Sequence, residues 1–158
     1  MPAVAYVGLG ANLGDPRQTL IQAFAELALI PGVLQCAPSR LYGSTPVDAV
    51  GPQFVNAVAR LTTHLSPLEL LDALQAIEGR HGRLRPHRNA PRTLDLDLLL
   101  YDAVQTETPR LALPHPRMHL RAFVLKPLAE LAPGLELPQG RVEDLLAQCA
   151  DQEVWPLV

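Results

Sequence analysis

The segment Leu94-Asp95-Leu96-Asp97-Leu98-Leu99-Leu100-Tyr101 leaves the chain least choice of structure. So apolar a run reads as a strand in the middle of a sheet. Side chains alternate between the two faces of a strand, so Asp95 and Asp97 point the same way with their carboxylates close together. Two neighbouring anions repel unless something positive lies between them. Magnesium fits that place, because it takes carboxylate oxygens and keeps positions open for phosphate and water.

An Asp-x-Asp pair taken alone reads more often as solvated surface carboxylates than as a metal site. The preceding stretch, 80–92, shifts the balance. It holds Arg80, Arg83, Arg85, Arg88 and Arg92 with His81 and His87, and no acid. Guanidinium groups grip phosphate with two parallel hydrogen bonds and stabilise the charge that grows as a phosphoryl group moves. A carboxylate pair for a metal beside a basic loop is what a nucleoside triphosphate needs. The plainer readings are a solvated basic loop or an RNA-binding arm, and no aromatics interleave with these arginines to favour the second.

Around this segment the pattern gives an ordered set of elements. Ala3 to Leu9 reads as a buried strand, with Gly8, Gly10 and Gly14 read as turn formers at its end. Asp15-Pro16 opens a helix that runs to about Ile30, Asp capping and Pro suiting the first turn. Val33 to Tyr42 is a second strand, broken at Cys36-Ala37-Pro38, and 43–52 is a loop. Phe54 to Leu61 is a strand with Phe54, Asn56, Val58 and Arg60 on one face and Val55, Ala57, Ala59 and Leu61 on the other. Ser66 with Glu69 three residues on is a capping box, and the helix it opens reaches about Gly79. Arg80 to Pro91 reads as loop, Leu120 to Ala132 and Val142 to Cys149 as helices. The order β-α-β-β-α-β is that of an α+β, ferredoxin-like antiparallel sheet with helices packed on its faces.

A length of 158 residues suits one domain over 1–158, and 48% hydrophobic residues supply its core. A net charge of −3 argues against a dedicated nucleic-acid binder. No apolar run is long enough to span a bilayer, and the N-terminus does not read as a signal peptide. Cys36 and Cys149 lack metal or redox spacing and read as reduced thiols, so the expected compartment is the cytoplasm. There is no P-loop, no dinucleotide fingerprint and no nucleophile–histidine pair. On their own, Phe54 and Phe123 read as core residues, and His115 as a loop residue or a phosphate contact.

Three stretches carry a resemblance: Tyr6-Val-Gly-Leu-Gly-Ala-Asn12-Leu-Gly-Asp15, Arg88-Asn-Ala-Pro91-Arg92-Thr-Leu-Asp95-Leu-Asp97, and Leu113-Pro114-His115-Pro116-Arg-Met118. In order along the chain they closely resemble the 6-hydroxymethyl-7,8-dihydropterin pyrophosphokinases of folate biosynthesis. The resemblance implies a ferredoxin-like monomer that binds ATP as co-substrate, two magnesium ions (Mg2+) and a pterin alcohol. Diphosphate passes to the pterin hydroxyl and AMP leaves, with no nucleic acid or membrane involved. It also implies that Asp95 and Asp97 bind the metal. Arg83 and Arg92 would close over the phosphates, and Gln75, Glu78, Arg110, His115 and Arg121 would contact ATP. Thr45, Pro46, Val47, Phe54, Asn56 and Phe123 would form the pterin pocket, two aromatic faces holding a flat ring whose edge Asn56 reads. A phosphotransferase for another alcohol and a binding module without turnover remain as alternatives, since this architecture hosts many functions.

Overall fold

The computed structural model describes residues 1–45, 53–82 and 94–157. Its strands are β1 (Ala3–Ala11), β2 (Val33–Pro38), β3 (Tyr42–Ser44), β4 (Phe54–Thr63), β5 (Asp95–Tyr101), β6 (Thr106–Glu107), β7 (Ala112–Leu113), β8 (Glu136–Leu137), β9 (Gly140–Arg141) and β10 (Val154–Pro156). The helices are α1 (Pro16–Ala28), α2 (Pro67–Gly82), α3 (Ala122–Leu131) and α4 (Val142–Gln148), with a 3-10 turn at Met118–Leu120. The main sheet runs β10-β3-β4-β1-β5, with β2 also beside β4, and its pairs are antiparallel. This is the α+β, ferredoxin-like arrangement.

The helix starts follow their local chemistry. The Asp15 carboxylate accepts from the Gln18 N–H at 3.2 Å, with Pro16 in the first turn of α1. Before α2, the Ser66 N–H donates to Glu69 Oε1 at 2.9 Å while the Glu69 N–H donates to Ser66 Oγ at 3.2 Å. That is the reciprocal capping box expected from the sequence.

Strand alternation divides the core in two. Val55, Ala57, Ala59, Leu61, Leu96 and Leu98 pack on one face against Leu20 and Leu27 of α1 and Leu70, Leu74 and Ile77 of α2. Val58, Leu99 and Leu100 meet Val124, Leu125 and Leu128 of α3 and Leu145 of α4 on the other. That Leu99 and Leu100 share one face, against the alternation, has a cause. The register steps from Val7↔Leu98 to Tyr6↔Leu100, so Leu99 is the extra residue of a β-bulge.

The structure corrects several expectations. Gly8 and Gly10 are not turn formers but lie inside β1, and only Gly14 of the three has a positive φ, at 64°. The break in the second strand falls at residues 39–41, not at Cys36–Pro38. There the Ser39 N–H donates to Val58 O (2.8 Å) and the Val58 N–H to Ser39 Oγ (2.9 Å). Tyr42–Ser44, partly read as loop, is a strand. Helix α2 continues through Arg80 and His81, because both reach Glu26 of α1, at 3.3 and 2.5 Å. The helix expected from Leu120 starts at Ala122, after an extended Arg121. Finally, β5 ends the sheet order instead of sitting centrally; its outer side is partly covered by the His115 N–H donating to Leu99 O at 2.9 Å.

Strand β10 had no forecast, and its seat is specific. A Cβ at Gly43 would fall 2.6 Å from the Trp155 indole, so the ring lies where a side chain would be. Gly43→Val is expected to cost about 1–3 kcal/mol of stability through overpacking of a rigid ring. It should also red-shift the emission of the single tryptophan. A denaturant melt with fluorescence detection checks both, and an unchanged midpoint and spectrum would show that the seat does not hold the strand. No helix among the described residues is long and apolar enough to cross a membrane.

Candidate active site

The face of the sheet turned toward α3 is bare at its middle. Tyr6, Gly8 and Gly10 share that face of β1, so two successive positions offer only backbone. Beside them on β5, Asp97 pairs with Gly8 and Asp95 with Gly10; on the other side, Val58 of β4 pairs with Gly8 and Asn56 with Gly10. One row therefore runs Asp95–Gly10–Asn56. With strands about 4.8 Å apart, a carboxylate and an amide stand roughly 10 Å from each other across a floor without side chains.

Above this floor is a cavity of about 470 Å³. Asp95, Asp97, Thr45, Phe54, Asn56, Arg121 and Phe123, all anticipated from the sequence, line it. Asp95 is exposed and Asp97 half-buried, while the leucines between and beyond them anchor the strand in the core on the opposite face. Phe54 comes from the first position of β4 and Phe123 from the first turn of α3. The Arg121 guanidinium lies 5.6 Å from the centroid of the Phe123 ring, a cation–π contact that fixes both groups on one wall.

Asn56 is buried, and its amide is held. The Ser44 hydroxyl donates to its Oδ1 at 2.5 Å, and its Nδ2 hangs over Gly10, 3.2 Å from the place a Cβ would take. A buried amide with its oxygen already bonded presents donor hydrogens to whatever enters.

His115 lies at the same edge. Burial pushes its pKa down and Arg121 adds to that, against an upward pull from Asp95; Arg117 depresses it further. The imidazole is therefore neutral near pH 7. Its Nδ1 accepts from the Arg117 N–H at 3.2 Å, which leaves Nε2 to carry the proton as a donor.

Gln75, Glu78 and Arg110 do not line the cavity but form a group on its flank. Arg110 pairs with Asp72 and donates to Gln75 Oε1 at 3.4 Å. Glu78 Oε2 accepts the Leu96 N–H at 2.8 Å, tying α2 to β5 between the two aspartates. Pro46, Val47, Arg83 and Arg92 lie outside the described residues, as does most of the basic stretch. Sequence reasoning missed Gly8, Gly10, Ser44, Arg117 and Gln152, all lining the cavity. The two glycines carried a signal, spaced two apart in an apolar strand and so on one face of it; Gln152 carried none.

Among the described residues no group of three or more His, Cys, Asp or Glu side chains is placed to hold a metal ion. The donor set at the cavity is the Asp95–Asp97 pair of hard oxygen ligands. Such a pair suits magnesium, which takes its other oxygens from phosphate and water. Carboxylates on one side, guanidinium groups on the other and two aromatic rings beyond them can hold a polyphosphate next to a flat ring system.

Comparison with known proteins adds a separate line of evidence. A family model described as 7,8-dihydro-6-hydroxymethylpterin-pyrophosphokinase (HPPK) matches residues 6–133. The chain is 52% identical over 146 residues to a 2-amino-4-hydroxy-6-hydroxymethyldihydropteridine pyrophosphokinase of Pseudomonas aeruginosa, covering 91% of this chain and 90% of that one. With the protein of the same description from Haemophilus influenzae it shares 42% over 152 residues, 95% of each chain. Among solved structures, the HPPK-DHPS of Plasmodium falciparum with pteroate superposes with a TM-score of 0.74 at 13% identity. That likeness is one of fold; it covers 96% of this chain, which spans 43% of the other.

Proposed function

Because the chain belongs to the 7,8-dihydro-6-hydroxymethylpterin-pyrophosphokinase family, we propose that it transfers diphosphate from ATP to 6-hydroxymethyl-7,8-dihydropterin, releasing AMP. The hydroxyl oxygen of the pterin forms a bond to the β-phosphorus, the bond from that phosphorus to the α-phosphate oxygen breaks, and the hydroxyl proton leaves to solvent. The observation that carries this reading is the shared cavity. Phe54, Asn56 and Phe123 lie in it with Asp95 and Asp97, so two aromatic rings and an amide open on the same space as a carboxylate pair.

Each group has a part in that reading. Asp95 and Asp97 would hold magnesium, which when bound draws charge from the phosphate oxygens and makes the phosphorus easier to attack. Phe54 and Phe123 flank the flat ring, and the Asn56 amide reads its polar edge. Arg121 and the Nε2–H of neutral His115 face the phosphates, with Gln75, Glu78 and Arg110 beyond them. Arg83 and Arg92 belong to the basic stretch that would close over the phosphates and meet the charge of the transition state. Thr45, Pro46 and Val47 complete the pterin side. Catalysis in this arrangement is positioning and electrostatics, with no covalent intermediate on the protein. We place the reaction in the cytoplasm and take the active unit to be a monomer, which light scattering on the purified chain checks.

The test is a product assay with ATP, magnesium and the pterin alcohol, resolved by chromatography. AMP and the pterin diphosphate are expected in equal amounts, with neither formed when magnesium is chelated. ADP in place of AMP would reassign the chain to single-phosphoryl transfer, and ATP binding without products would make it a binding module.

A further inference from the structure

We infer that Gln152 is a positioning residue for substrate: its side-chain amide locks the backbone on both sides of Arg121, and so sets Arg121 and Phe123 in the cavity wall. The inference rests on the reading of that cavity as the pterin site.

The geometry begins with a helix that lacks a local cap. Arg121 stands at the N-cap of α3 with extended backbone (φ −119°, ψ 108°) and makes no side-chain capping bond. An arginine offers no acceptor for the free N–H groups of the first turn. The acceptor arrives from 30 residues away: the Ala122 N–H donates to Gln152 Oε1 at 2.9 Å. The same amide uses its other end one step earlier, Gln152 Nε2 donating to Leu120 O at 2.8 Å. A single planar amide thus bonds the residue before Arg121 and the residue after it. That fixes the kink between the 3-10 turn and α3, from which Arg121 and Phe123 project to their 5.6 Å contact.

Gln152 is itself held firmly enough to act this way. Its own N–H donates to Cys149 O at 2.9 Å. Directly after it the chain enters β10, where Val154 pairs with Ser44 and Trp155 with Gly43. The Thr45 N–H donates to Glu153 O at 3.4 Å, so the same segment also holds a second residue of the cavity lining. Gln152 lines the cavity and is half-buried, yet it lies outside residues 6–133 that the family model matches.

The experiment compares wild type, Gln152→Ala and Gln152→Glu by equilibrium binding of 6-hydroxymethyl-7,8-dihydropterin in the presence of a non-hydrolysable ATP analogue and magnesium. Turnover is followed in parallel. Gln152→Ala is expected to bind the pterin roughly tenfold more weakly, the loss of a half-buried hydrogen-bonding clamp, with a smaller fall in kcat at saturation. In Gln152→Glu the carboxylate still accepts from Ala122 but repels the Leu120 carbonyl. Its deficit against wild type at the same pH should shrink as the carboxyl becomes protonated, toward pH of about 4–5, and donates again. A role confined to general stability would show no such recovery. Wild type that binds and turns over, with Gln152→Ala binding equally well, overturns the inference and leaves the proposed function standing. Wild type that does not bind the pterin overturns both.

Discussion

Asp97→Asn should abolish diphosphate transfer, lowering kcat by about a thousandfold or more, while the protein stays folded. Removing one of two anionic oxygen ligands from a metal site costs several kcal/mol of transition-state stabilisation, and each 1.36 kcal/mol is about tenfold in rate. The fold should survive because Asp97 points away from the core formed by Leu96 and Leu98, and asparagine keeps its size and shape. Without metal, the substitution even removes a like charge from beside Asp95. The free protein should therefore still melt as one cooperative transition. The two forms separate when ligands are added: wild type gains stability from magnesium with an ATP analogue, and Asp97→Asn does not. Asp95→Asn should follow the same pattern with a smaller loss, because Asp95 sits exposed at the rim and water can replace part of its role. Turnover in Asp97→Asn within tenfold of wild type would remove the metal from this pair of residues.

The parts legible in the sequence are those set by neighbours along the chain. The Asp15 cap, the Ser66–Glu69 box and the alternation of Phe54 to Leu61 are local, and the structure bears them out. Of the candidate site, Asp95 and Asp97 were legible from a motif, and Phe54, Asn56, Phe123, Arg121 and Thr45 from the resemblance; the seven line one cavity. What escaped was decided across the fold. Arg80 and His81 look like the start of a polar loop until Glu26 of α1 stands beside them. The position of β5 at the end of the sheet could not be told from its leucines, because its faces are buried by α2 and α3 regardless of its edge. Gln152 acts on a helix start 30 residues earlier, and β10 depends on a ring seated over a glycine more than a hundred residues before it. Gly8 and Gly10 were read as breakers because glycine usually breaks strands, whereas here an empty strand face is the purpose.

That empty face makes Gly10→Val the second large effect, and one in which stability and function should part. Valine is among the best strand formers and glycine among the worst, a difference of up to about 1 kcal/mol, so the backbone of β1 should accept the change or gain from it. The cavity should not. Even a bare Cβ at position 10 would lie 3.2 Å from Asn56 Nδ2, a contact tight enough to make the amide move. Asn56 is tied to Ser44 at 2.5 Å and has little room to do so. The two further methyls of valine would fill the floor between Asp95 and Asn56, where the pterin would lie. Affinity for the pterin alcohol should fall by about a hundredfold, from lost shape fit in the pocket at about 1–3 kcal/mol and a displaced hydrogen-bonding group at about 1–3 kcal/mol. ATP affinity should change far less, since Gln75, Glu78 and Arg110 lie on the flank. Gly8→Ala is the informative contrast. Its Cβ would sit 3.5 Å from the Leu99 side chain, an ordinary contact, so a mild loss is expected there. Titration calorimetry with each ligand, alongside a thermal melt, separates the outcomes. Gly10→Val binding the pterin as tightly as wild type would mean that the ring does not rest on this floor.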